Sequence, residues 1–134
     1  MKKKGKIKGG FVVFTYEMME SPAYRELTGA SLKALLLFLR KVKTHHHLDR
    51  YEQQFPLTFA EAKKKGISHS SFSRAITQLI ETGFIDCAAK GGLRNEGKSY
   101  SYYRLSRRWK DFGTERFISR HRGYSENVQG REAF

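Results

Sequence analysis

Two short amphipathic helical segments, held three residues apart, constrain this chain more than any other feature. The first begins at Thr58, with Glu61 three residues on, the pair that closes a capping box. Gly66 sits where a helix ends by turning left-handed. Ser68 caps the second segment and Gly83 ends it. Phe59 and Ala62 fall on the inward face of the first; Phe72, Ala75, Ile76, Leu79 and Ile80 on that of the second. Ile67 plugs the turn between them. A generic helical hairpin carries the same amphipathicity, so the residues beyond Gly83 have to decide.

A short glycine-containing turn between two such helices is the helix-turn-helix signature. Phe84–Ala88 then reads as a strand, Gly91-Gly92 to Gly97 as a long turn, and Ser101–Leu105 as a returning strand. Helix, turn, helix and a hairpin with a basic loop is the order of a winged helix. The expected fold is therefore mainly α with a small β hairpin (α+β): a winged helix-turn-helix with additions in front. Those additions are a β-type run at Phe11–Thr15, a helical turn over Tyr16–Glu20, and a short helix capped by Ser21 with Pro22 at its first position. Thr28 or Ser31 caps a longer helix with Leu32, Leu35, Leu36, Leu39 and Val42 on one face, widened by Leu37 and Phe38. It is expected to be the central buried helix. Residues 44–56 lose the period and read as a loop. The division expected is a flexible basic arm at 1–10, a domain at 11–112 and a C-terminal tail at 113–134.

Charge narrows the partners. Over 134 residues, 26 Lys and Arg oppose 13 Asp and Glu, a formal +13. Self-repulsion on that scale is relieved by an anionic partner, nucleic acid first and an anionic membrane surface second. No apolar run approaches a membrane span, and no hydrophobic signal core follows the basic N-terminus. Cys87, the single cysteine, cannot form an internal disulfide, which fits a reducing compartment. The expectation is a soluble, cytoplasmic protein.

With Phe72, Ala75, Ile76, Leu79 and Ile80 inward, the opposite face of the second helix carries Ser70, Ser71, Ser73, Arg74, Thr77 and Gln78. Ordinary solvated faces favour Glu and Lys, yet this one is acid-free until Glu81. Arg pairs with guanine, Gln with adenine, and Ser or Thr with either, in the major groove of double-stranded DNA. His69 and the first-turn N–H groups suit phosphate, as do Lys63, Lys64 and Lys65, which also complement a helix C-terminus. Lys90, Arg94 and Lys98 place cations in the hairpin loop, where Gly91, Gly92 and Gly97 permit close approach to a backbone. Arg104, Arg107, Arg108 and Lys110 extend the basic run, and of Tyr100, Tyr102 and Tyr103 at least one should be core by strand alternation.

The stretches FVVFTYEMMESPAYRELTGASLKALLLFLRK and TFAEAKKKGISHSSFSRAITQLIETGFI carry a resemblance. They look like the opening and the core of a family of phage- and plasmid-associated helix-turn-helix proteins, of the replication-initiator and regulator kind. The resemblance covers roughly residues 11–110. It implies duplex DNA binding in transcription regulation or replication, often as a homodimer or on repeated sites. Ser68 to Gln78 would be the groove-reading positions and Lys90 to Lys98 the wing tip. The loop at 44–56, with its three histidines, departs from the family pattern.

Enzyme readings find little. Adjacent histidines His45, His46 and His47 point alternately in an extended segment, and no Cys, Asp or His completes a zinc site at standard spacing. A metal-dependent DNA-nicking site would want a hydrophobic residue where His46 stands. No phosphate-cradling glycine loop or nucleophile elbow occurs, and the carboxylates are scattered. No catalytic residue, cofactor or metal is expected. A protein- or RNA-binding module of the same fold is the alternative. For residues 113–134, Phe117, Ile118 and Tyr124 could instead dock on another subunit or a replication partner.

Overall fold

A computed structural model describes residues 7–43, 47–89 and 101–126. Among them are five helices and a three-stranded antiparallel sheet. In chain order these are α1 (Tyr16–Met19), α2 (Pro22–Glu26), α3 (Gly29–Lys41), β1 (Phe55–Pro56), α4 (Phe59–Lys64), α5 (His69–Thr82), β2 (Ile85–Ala89) and β3 (Tyr102–Leu105), followed by one 3₁₀ turn at Arg108–Asp111.

Hydroxyl caps set the start of each of these five helices. Thr15, Ser21, Thr28, Thr58 and Ser68 each accept a hydrogen bond from a backbone N–H in the first turn of α1 to α5 respectively. Each such cap is worth about 1 kcal/mol. Gly29 opens α3 directly behind the Thr28 cap.

The core lies where α3 crosses α5 above the sheet. Phe38 is fully buried at its centre, with ring centroids 6.1 Å from both Phe55 and Phe72 and 5.2 Å from Tyr103. One aromatic side chain thus ties α3, β1, α5 and β3 together, and truncating such a residue costs about 3–5 kcal/mol. This cluster turns α3 away from the leucine stripe expected for it. Ser31, Ala34, Leu35, Phe38 and Leu39 are buried, Leu36 is exposed, and Val42 is already the extended C-cap. Three consecutive leucines cannot share one face, and the larger ring claims the centre. The expectations for α5 hold: Phe72, Ala75, Ile76, Leu79 and Ile80 are all buried.

The sheet order is β1-β3-β2. β3 pairs with β2 through Ile85↔Leu105, Asp86↔Arg104 and Cys87↔Tyr103, with a register shift before Ala89↔Tyr102. Its other edge takes β1 as Phe55↔Tyr103 and Pro56↔Tyr102. The loop expected at 44–56 therefore ends in a third strand, and Pro56 is tolerated because β1 is an edge. Tyr103 is a core residue and Tyr102 is exposed, while Tyr100 lies outside the described residues; burial raises the Tyr103 phenol above its usual pKa.

Two expectations are corrected. The run Phe11–Thr15 forms no strand. It alternates as a strand would, with Val12 and Phe14 packed on the core, but no described strand pairs with it; instead Arg50 Nη1 donates to the Val13 carbonyl at 2.9 Å. Nor do residues 113–126 project as a tail. Arg108 Nη1 donates to the Ile118 carbonyl, Phe117 packs edge-on against Phe112, and Ser125 is buried. The arm at 1–6 and residues 127–134 lie outside the described residues.

Candidate nucleic-acid interface

The turn between α4 and α5 is built as its sequence demands. Thr58 and Glu61 form both halves of the capping box. Glu61 also receives Lys41 Nζ at 2.7 Å; this hydrogen bond, then the Thr58 N–H, hold its carboxyl below the ordinary value of 4.5. Gly66 adopts φ +91°, a left-handed conformation other residues take only under strain. Its carbonyl accepts weakly from Lys33 Nζ at 3.4 Å. Ile67 is buried beneath the turn.

Around this turn stand the cations Lys63, Lys64 and Lys65, exposed at the end of α4, with Lys33 reaching in from α3. α5 enters beside them with Ser68 as cap and no acid in its first turn. Ser68, His69 and Ser70 are exposed, the His69 ring stacking on Phe59 at 4.2 Å. Arg74, one turn further, is exposed as well. These exposed donors gather at the α4–α5 turn and the first turns of α5.

The rest of the expected reading face is committed elsewhere. Gln78 Nε2 donates to the Glu26 carbonyl at 2.8 Å, and its Oε1 accepts from Thr28 N–H at 2.9 Å. It clamps the α2–α3 junction and is not available to a base without breaking both bonds. On the opposite flank, Arg122 Nη1 donates to the Ser73 carbonyl at 2.8 Å, to Thr77 Oγ1 at 3.1 Å and to Ser73 Oγ at 3.3 Å. Ser73 and Thr77, expected to face a groove, are half-buried under the C-terminal segment, and Ser71 is half-buried too.

Several arginines of the basic run are likewise engaged. Arg108 is buried with Asp86 at 2.6 Å and donates to the Ile80 carbonyl at the end of α5. Arg120 reaches the other Asp86 oxygen at 3.0 Å, and Glu126 bridges Arg104 to Arg120. Arg107 lies over the Tyr51 ring at 3.9 Å and 3.7 Å from Asp49. The hint in the sequence was Asp86, a lone acid inside an apolar strand, which burial obliges to find a partner. Nothing local in the sequence announced Arg120 or Arg122 as the groups that close these contacts.

Lys90, Arg94 and Lys98 lie outside the described residues, as do His45 and His46. His47 is exposed. Among the described residues no group of His, Cys, Asp or Glu could hold a metal ion, and no helix is long and apolar enough to cross a membrane. Compared with known proteins, the chain matches no family model, no curated protein and no solved structure.

Proposed function

We propose that the protein is a winged helix-turn-helix module that binds double-stranded DNA without catalysis, in the cytoplasm, in transcription regulation or in phage or plasmid replication. The order α3, β1, α4, α5, β2, β3 is that of a winged helix, with α5 as the helix that enters the major groove. One observation carries the reading. The exposed, acid-free stripe Ser68–Ser70 and Arg74 runs directly out of a turn flanked by Lys63, Lys64 and Lys65. That pairing gives base-edge donors and phosphate cations on one surface. The reading face is narrower than the sequence suggests, because Gln78, Ser73 and Thr77 are held by the protein itself.

Selection of bound duplexes from a random pool, followed by anisotropy titration at two salt concentrations, tests this. Arg74→Ala should relax preference at one base position, a loss of about 1–3 kcal/mol of discrimination. Replacing Lys63, Lys64 and Lys65 by Ala should weaken every duplex alike and lower the salt dependence. Equal binding of selected and random duplexes by both wild type and Arg74→Ala would remove the base-reading role. Preference for single-stranded RNA over duplex would replace the assignment altogether.

A further inference from the structure

Arg122 differs from the other arginines of the C-terminal segment in what it binds. Arg120 and Arg104 meet carboxylates, so their charges are offset within the protein. Every acceptor of Arg122 is neutral: the Ser73 carbonyl and two hydroxyls. Its position is fixed, and its charge meets no carboxylate among the described residues.

The fixing is thorough. On one side of it, Arg108 holds the Ile118 carbonyl and Arg120 is tied to the buried Asp86. On the other, Glu126 joins Arg104, while Arg120 lies over the Tyr124 ring at 4.5 Å. Only Nη1 is used toward α5; Nε and Nη2 donate to no described residue, and Arg122 as a whole is half-buried. A guanidinium has five N–H donors in a rigid fork that matches a phosphate. Three of these, on Nε and Nη2, meet no acceptor among the described residues, and the fork is anchored to Ser73 and Thr77, next to Arg74 on α5.

We propose that Arg122 is a phosphate-contacting residue of the duplex surface, delivered to the flank of α5 by the docked C-terminal segment. This rests on the DNA-binding reading above and extends it to a second, distant part of the chain. The charge of the segment argues for contact with DNA over obstruction of it. An element that competes with DNA for α5 would gain from an acidic residue at the contact, and the residue of the segment that hydrogen-bonds to α5 is the cation Arg122.

The test is a salt series of anisotropy titrations on the full chain, with one selected and one random duplex, for wild type, Arg122→Gln and Arg122→Lys. Arg122→Gln should weaken both duplexes alike and shrink the slope of log K against log salt by about 0.9, so the wild-type advantage falls about 3.5-fold between 50 and 200 mM salt. Arg122→Lys should restore most of the slope. An unchanged slope for Arg122→Gln, with wild type still binding, makes Arg122 a tether only and overturns the proposal while leaving the α5 reading intact. Tighter binding by Arg122→Gln also overturns it and identifies the segment as an obstruction. If wild type binds no duplex at low salt, the DNA reading itself falls. Should the variants fail to fold, the Arg122 Nε–H resonance of the unaltered protein decides: it should shift when duplex is added, and a stationary resonance refutes the contact.

Discussion

Gln78 separates two roles that a helix-face argument alone would merge. On α5 it occupies a position suited to reading adenine, yet both ends of its amide hold the backbone between α2 and α3. Replacing it with Ala removes two hydrogen bonds, each worth about 0.5–1.5 kcal/mol net. Water reaches this half-buried site and re-solvates the freed groups, and Ala gains a few tenths of a kcal/mol in helix propensity. The expected net loss is about 1–2 kcal/mol, or roughly 3–7 °C in Tm for a chain of this size. Gln78→Glu should cost at least as much, since a carboxylate still accepts from Thr28 but cannot donate to the Glu26 carbonyl. Urea unfolding of both variants measures the loss, and duplex selection with Gln78→Ala measures the preference. The clamp predicts lower stability with an unaltered base preference. Unchanged unfolding midpoints together with a changed preference at one base position would refute it and return Gln78 to the groove.

The buried network gives a larger effect: Asp86→Ala leaves Arg108 without its charge partner and should cost about 3–5 kcal/mol in urea unfolding, with much of that recovered when Arg108 is replaced by Met in the same chain. Glu61 sets an acid limit. Its folded-state pKa is depressed, so its contribution is present above the unfolded value near 4.5 and is lost as pH falls through the lower folded value. Thermal unfolding across that acid range should therefore show a pH dependence that Glu61→Gln flattens.

The parts of the fold legible in sequence were those specified locally. Caps at Thr28, Thr58 and Ser68, left-handed glycines at Gly66 and Gly83, and the α5 core period are each set by neighbours within a turn or two. What sequence could not place came from contacts far along the chain. Arg122 meets α5 across 45 to 49 residues, and Gln78 meets the α2–α3 junction across 50 to 52. β1 is two residues long, too short to show a period, and exists because β3 offers an open edge. In Phe11–Thr15 the opposite occurred: the alternation was real, but alternation reports a half-buried extended segment and says nothing of a ladder partner. For the interface, the lysines and Arg74 were readable as exposed charge, whereas the loss of Ser73, Thr77 and Gln78 to internal partners was not.

Flanked by the Gln78 clamp on one side and Arg122 on the other, α5 would, on the duplex-binding proposal, offer a probe only from Ser68 to Arg74. At 1.5 Å per residue that is about 9 Å, the rise of roughly three base pairs. Three fully read pairs distinguish about one site in 64, far short of what singles out an address among the roughly million competing positions of even a small genome. On that proposal, a chain with so short a reading head would gain an adequate address by counting: several copies on spaced repeats, where the probabilities multiply.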